Sequence, residues 1–226
     1  MHRIKSIVAA VCVLALIAGM YYVSTWETFD AKKYVQAVLD ENFKGDVAAA
    51  AIMIKDQTAE ELQEHYETGI ENFLDKNVLS GVKVDDATRE KYKLLCKDIF
   101  RSMKYEVSHV QVLGRRQMEV TVEYRQADIF PQFVKKLEES SETFLKEAAK
   151  AKYKKTKKKQ IEAQIEKAFL NHSYNLLNES YKNVSYDKAE TMVFRVKGDK
   201  KNVFSMEEAQ ISEFIVKILM IDEIKD

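Results

Sequence analysis

Cysteine, proline and glycine are all scarce in this chain: its 226 residues include two cysteines, one proline and six glycines. Cys12 lies inside an apolar N-terminal run, which leaves Cys96 alone in the remainder and excludes an internal disulfide there. With Pro131 as the single proline, a low-complexity stalk or a turn-rich β-sandwich is also excluded. A surplus of one charge is missing too. The 36 basic and 36 acidic side chains cancel, so no net field draws the chain to nucleic acid. Glycine-rich phosphate loops, clustered metal ligands and nucleophile motifs are absent, so no catalytic residue, cofactor or metal is assigned.

What the sequence does have is one long apolar run. Residues 6–26 are uncharged, close to the roughly 20 residues that cross a bilayer as a helix. Arg3 and Lys5 precede the run, and Glu27 and Asp30 follow it. Positive charge marks the cytoplasmic end, so residues 1–5 are read as cytoplasmic, 6–26 as a transmembrane signal anchor, and 27–226 as one extracytoplasmic domain. A cleaved, secreted form is the competing reading. Ala18 and Gly19 run straight into Met20, Tyr21 and Tyr22 without the small-residue pattern of a cleavage site. Tyr21, Tyr22 and Trp26 suit the outer headgroup region, where aromatic rings are enriched. A lipidated cysteine is the third reading, but Cys12 follows Val11 and sits in mid-run.

Helical periodicity dominates the first half of the remainder. Tyr34, Val35, Val38 and Leu39 share a face, Gly45 and Asp46 break it, and a second apolar helix covers residues 47–54. Thr58 and Glu61 form a capping box before the stripe Leu62, Tyr66, Ile70 and Phe73. A further helix over residues 87–103 carries Tyr92, Leu95, Cys96, Ile99 and Met103 on one side, which makes Cys96 a buried structural thiol. From Lys104 the period becomes two. Residues 105–112 and 118–124 read as a hairpin around Gly114, and Pro131 opens a helix. After a lysine-rich stretch and another helix, Met192, Phe194 and Val196 lead through Gly198 and Asp199 into a second hairpin at Val203 and Phe204. Ser205 and Glu208 suggest a second capping box before a last helix bearing Ile211, Phe214, Ile215 and Ile218. The fold class expected is α+β: helices packed on a small antiparallel sheet made of two hairpins.

Several of these segments resemble an uncharacterised family of Gram-positive (Firmicutes) extracytoplasmic lipoprotein or membrane-anchored domains. They are Tyr34-Val-Gln-Ala-Val-Leu-Asp with Phe43-Lys-Gly-Asp46, Thr58-Ala-Glu-Glu-Leu leading to Gly69-Ile-Glu-Asn-Phe73, and Val120-Thr-Val-Glu-Tyr124 running into Ile129-Phe-Pro-Gln-Phe133. The similarity spans most of residues 30–219 and implies a bacterial surface location and this architecture, with no activity to carry over. The lipidated cysteine common in such proteins is missing here.

Few side chains invite chemistry. His65 follows Glu61 by one helical turn, a spacing for two metal ligands, but the remaining ligands are lacking. His109 and His172 are isolated, and the acids Asp128, Glu119 and Glu123 near the sheet alternate as solvent-facing positions do. Lysines crowd residues 146–159, and Lys152, Lys154, Lys155, Lys157, Lys158 and Lys159 are the candidate contact for an anionic partner. A solvated charged face, partly neutralised by Glu138, Glu139, Glu142 and Glu147, is the plainer reading. Asn171, Asn178 and Asn183 each begin a glycosylation sequon, read as chance matches in a bacterial chain. The function expected is a membrane-tethered binding or interaction domain whose partner is an envelope protein, wall polymer or small ligand, with its pocket between helices and sheet. The alternative is an envelope-acting enzyme whose carboxylates are assembled by the fold.

Overall fold

The computed structural model describes residues 29–54, 57–150 and 158–224. The transmembrane reading of residues 6–26, with Tyr21, Tyr22 and Trp26, lies outside the described residues. Among those described, no helix is long and apolar enough to cross a membrane.

Helix α1 (Ala31–Lys44) opens on the Asp30 carboxylate, which accepts the Lys33 amide at 3.0 Å, as an acid at the positive helix end should. It stops at Gly45, whose left-handed φ of 68° lets its amide turn back to Glu41. A Cβ on Gly45 would lie 2.7 Å from the Tyr66 ring, so close packing requires glycine here as well. Helix α2 (Val47–Met53) and helix α3 (Ala59–Phe73) follow, α3 under the complete Thr58–Glu61 capping box and continuing into a π-helical turn (Leu74–Val78). Helix α4 (Asp86–Arg101) runs back along α3. Arg89, Lys93 and Lys97 bridge to Glu67, Glu71 and Asp75 at 2.6–2.9 Å.

Strands β1 (Lys104–Gly114) and β2 (Gln117–Ala127) form the first hairpin, helices α5 (Ile129–Lys150) and α6 (Lys158–Lys182) intervene, and β3 (Tyr186–Gly198) and β4 (Phe204–Met206) form the second. Helix α7 (Glu208–Ile218) and a 3-10 turn (Asp222–Ile224) close the order. The two hairpins fuse along β2 and β3 into one antiparallel sheet of order β1-β2-β3-β4. The α+β class expected from the sequence is observed: the described residues form seven α-helices and a four-stranded antiparallel sheet.

Period-two patterning buries one face of that sheet, with Met118, Val120, Val122 and Tyr124 from β2 and Met192, Phe194 and Val196 from β3. In β1 the pairing slips between Val107 and His109. This bulge leaves Ser108 over, its hydroxyl donating to the Thr121 carbonyl at 3.1 Å, so that His109 stays outside and Val110 turns inward opposite Val120. Strict alternation would have buried His109.

Helices α1 and α7 cover the buried face. Phe214, fully buried, packs against Phe43, Tyr105, Tyr124 and Phe194 with ring centroids 5.1–6.2 Å apart. Farther along, Phe73 meets Phe100 and Phe130 edge to face, joining α3, α4 and α5. Cys96 is fully buried in this core, and burial pushes its thiol up to about 12, as a structural cysteine requires.

Two expectations need correction. Ser205 does not cap α7. Its backbone pairs with Lys197 in the sheet, the helix begins at Glu208, and Glu207 at the N-cap makes no side-chain cap bond. Strand β3 also starts at Tyr186, ahead of the apolar alternation, because its first residues pair with Arg125 and Ala127 while exposing polar side chains.

The last helix therefore completes the core. Phe214→Ala is expected to destabilise the protein by about 3–5 kcal/mol in denaturant unfolding. A chain ending at Lys200, lacking β4 and α7, is expected to show no cooperative thermal transition. An intact transition in that shortened chain would contradict the dependence.

Candidate functional site

The pairing of β2 with β3 separates two ends of the sheet. At one end both tight turns come together: the Gly198 amide donates to the Arg116 carbonyl at 2.8 Å, and the Arg116 guanidinium donates to Asn202 Oδ1 at 2.9 Å and to the Lys200 carbonyl at 3.2 Å. Phe29 also lies at this end, its ring stacked on Phe204 at 3.7 Å. At the other end β2 finishes and β3 begins, and the α5–α6 hairpin leaves the sheet. Asp128 ties its base, accepting the Ser185 amide at 2.8 Å.

The hairpin packs sideways on α4. Tyr92 donates to the Leu170 carbonyl at 2.8 Å, its ring meets Tyr174 edge to face, and Lys91 lies 3.6 Å above the Tyr174 ring. Farther out α5 and α6 hold one another: Phe144 packs on Phe169 and stacks on His172, whose Nε2 lies 2.8 Å from Ser140 Oγ. His172 is thus a clip between the two helices. Lys152, Lys154, Lys155 and Lys157 lie outside the described residues. Lys158 and Lys159 open α6, and the Glu138, Glu139 and Glu142 side chains on α5 are exposed.

Sequence spacing placed His65 one helical turn after Glu61, and in the fold the two side chains take different partners. Glu61 is held in its capping box, while His65 Nδ1 lies 3.1 Å from Oε1 of Glu41 on α1. The Glu41 side chain is only 2% exposed and also accepts from Asn42. Among the described residues no three potential ligands gather for a metal. Periodicity missed Glu41 because it falls among the apolar positions of α1; its partner stands 24 residues later in sequence.

The remaining acids have ordinary positions. Glu119 pairs with Arg195 at 3.4 Å on the open face of the sheet. Glu123 is in register with Glu106 there, in a shallow depression that Lys104 and Arg125 also line. A second depression on the same face is lined by Leu113, Gln117, Glu119, Arg195 and Lys197. Between helices and sheet, where a pocket was expected, the described aromatic and aliphatic side chains form one buried cluster.

His65 is the titrating group with a defined buried partner. Its hydrogen bond to Glu41 holds its pKa above the ordinary 6.5, with burial opposing and the Glu41 and Glu208 charges assisting. A raised folded-state pKa stabilises below the unfolded value and loses that contribution as pH rises through the folded one. The stability margin of the wild type over His65→Gln is therefore expected to shrink as pH rises from below the ordinary histidine value through the raised folded-state value, as read by thermal unfolding. Parallel pH profiles for the two proteins would contradict the pairing.

No family model matches the chain, and no curated protein matches it. Among solved structures it is similar to YcdA of Bacillus subtilis subsp. subtilis strain 168, provisionally assigned as a lipoprotein, with a TM-score of 0.56 at 12% sequence identity. The match covers 84% of this chain and 56% of the other, so this chain spans little more than half the length of that relative. The likeness establishes a shared fold with a Firmicutes protein of the kind the sequence motifs resemble.

Proposed function

We propose that this protein is a membrane-tethered extracytoplasmic interaction domain that presents its helical hairpin away from the bilayer to an anionic envelope partner. The carrying observation is geometric. Phe29 stacks on Phe204 at one end of the sheet, and α5 and α6 leave from the opposite end. Helix α5 has 22 residues, about 33 Å of reach at 1.5 Å per residue. Helices α5 and α6 thus carry their far ends away from the tether, and the lysine-rich interval of the sequence joins those ends.

The tether is the uncharged segment of residues 6–26, oriented by Arg3 and Lys5, with Tyr21, Tyr22 and Trp26 at the outer interface. The fold shared with a provisionally assigned lipoprotein supports an extracytoplasmic place. Because Cys12 lacks the setting for lipidation, the helix itself serves as the anchor. Lys152, Lys154, Lys155, Lys157, Lys158 and Lys159 then meet a polyanion such as a phosphate-repeat wall polymer. A basic side chain near an anionic surface contributes about 1 kcal/mol.

Full-length protein is expected to co-sediment with cell-wall fragments that carry anionic polymer, and to be released by salt within the screening range. Replacing Lys152, Lys154, Lys155 and Lys157 by Glu should weaken this binding at least about tenfold, since four such contacts are removed. Wall binding that survives both salt and the four replacements would overturn the assignment of the lysines.

A further inference from the structure

The hairpin tips at the tether end carry a surface that the interaction reading does not use. Val112 and Leu113, at the end of β1, are 63% and 51% exposed, adjacent large aliphatic residues on the tip of a hairpin. Arg115 and Arg116 follow them directly in the turn, and Lys200 and Lys201 lie in the neighbouring turn. The turns are locked together by the Gly198–Arg116 backbone bond and by the Arg116 guanidinium on Asn202 and Lys200. Arg116 and Asn202 take left-handed φ values of 89° and 61°, a defined shape for the pair.

Asp199 is the acid of the second turn, and its charge acts on Lys201 and Arg116. Asp199 accepts the amides of Lys201 and Val203 at 2.7 and 2.8 Å, and Glu207 pairs with Lys197 at 2.7 Å. The ammonium groups of Lys200 and Lys201 enter no salt bridge among the described residues. Apolar side chains at a tip, with cations in the same turn and the neighbouring one, match the boundary between lipid chains and phosphate headgroups: the aliphatic groups leave water while the cations stay with the phosphates.

Position selects the partner. Phe29 lies against Phe204 in this end of the sheet, and Trp26 precedes it by three residues. Three residues reach at most about 11 Å, comparable to the screening length of about 8–10 Å at physiological salt. A bilayer holding Trp26 at its surface thus lies within electrostatic reach of the turns, whatever path the connecting residues take. We propose that Val112, Leu113, Arg115, Arg116, Lys200 and Lys201 form a bilayer-docking surface that binds the anionic headgroups of the membrane carrying the tether. Docking would hold the sheet against the bilayer and direct the helical hairpin outward. The inference rests on the tethered reading and on different residues from the proposed polymer contact.

The test uses full-length protein with two membranes, pure phosphatidylcholine and phosphatidylcholine containing about 30% phosphatidylglycerol, the latter supplying the anionic charge. Tethering is read by retention on the neutral membrane after alkaline carbonate washing. Docking is read by hydrogen exchange of residues 111–116 and 199–203. Exchange there is expected to slow at least fivefold, on the order of 1 kcal/mol, on the anionic membrane. The slowing should vanish in Lys200→Glu/Lys201→Glu and in Val112→Ser/Leu113→Ser, with protection of β2 and β3 unchanged as the control for folding. Equal exchange on both membranes in a retained protein would overturn docking and leave the tether standing. Loss from the neutral membrane with lipid-dependent slowing on the anionic one would overturn the tether and leave docking standing. Binding to neither would overturn both.

Discussion

The antiparallel pairing of β2 with β3 is the constraint on which the rest of the structure depends. It aligns Val120 with Phe194 and Val122 with Met192, residues separated in sequence by the whole α5–α6 hairpin. Joining them closes a long loop, an entropic cost that the helical packing of the insertion and the buried face of the sheet offset together. The same register sends both tight turns to one end and the helical hairpin to the other. Phe29 at one end of the sheet and the base of the α5–α6 hairpin at the other take their places from that single ladder.

Packing alone holds this arrangement. Cys96 has no cysteine partner after the N-terminal run and is sealed in the core, so stability comes from side chains that meet across distant segments. Phe214 in the last helix touches rings from α1, β1, β2 and β3. Aromatic pairs of this kind add about 0.5–1.5 kcal/mol beyond the area they bury. The ion-pair ladder between α3 and α4 is partly exposed and adds less.

The parts of the fold legible in the sequence were those governed by near neighbours. The stripe from Leu62 to Phe73, the Thr58–Glu61 box and the alternation from Met118 to Tyr124 each depend on residues within a turn or two, and each was found where the pattern placed it. Failures arose where a distant strand intervened. Ser205 has the local form of a cap, but pairing with Lys197 made it a strand residue. The Ser108 bulge, which keeps His109 in water, answers to the register of β2 and has no local mark. The candidate site was less legible still: Glu41 and His65 sit on different helices, and only helix packing brings a buried carboxylate to that imidazole.

Composition and period by themselves determined that this protein is an α+β domain without disulfides, that an uncharged stretch precedes it, and that its lysines crowd one interval. Those properties are sums or short-range patterns, and a linear chain carries them in full. Tertiary structure alone decided which end of the sheet receives Phe29, which end releases the helices, and that basic turns gather beside Phe29. Such placements depend on strand register and ring packing between residues far apart in sequence, energies that exist only once the chain has folded back on itself.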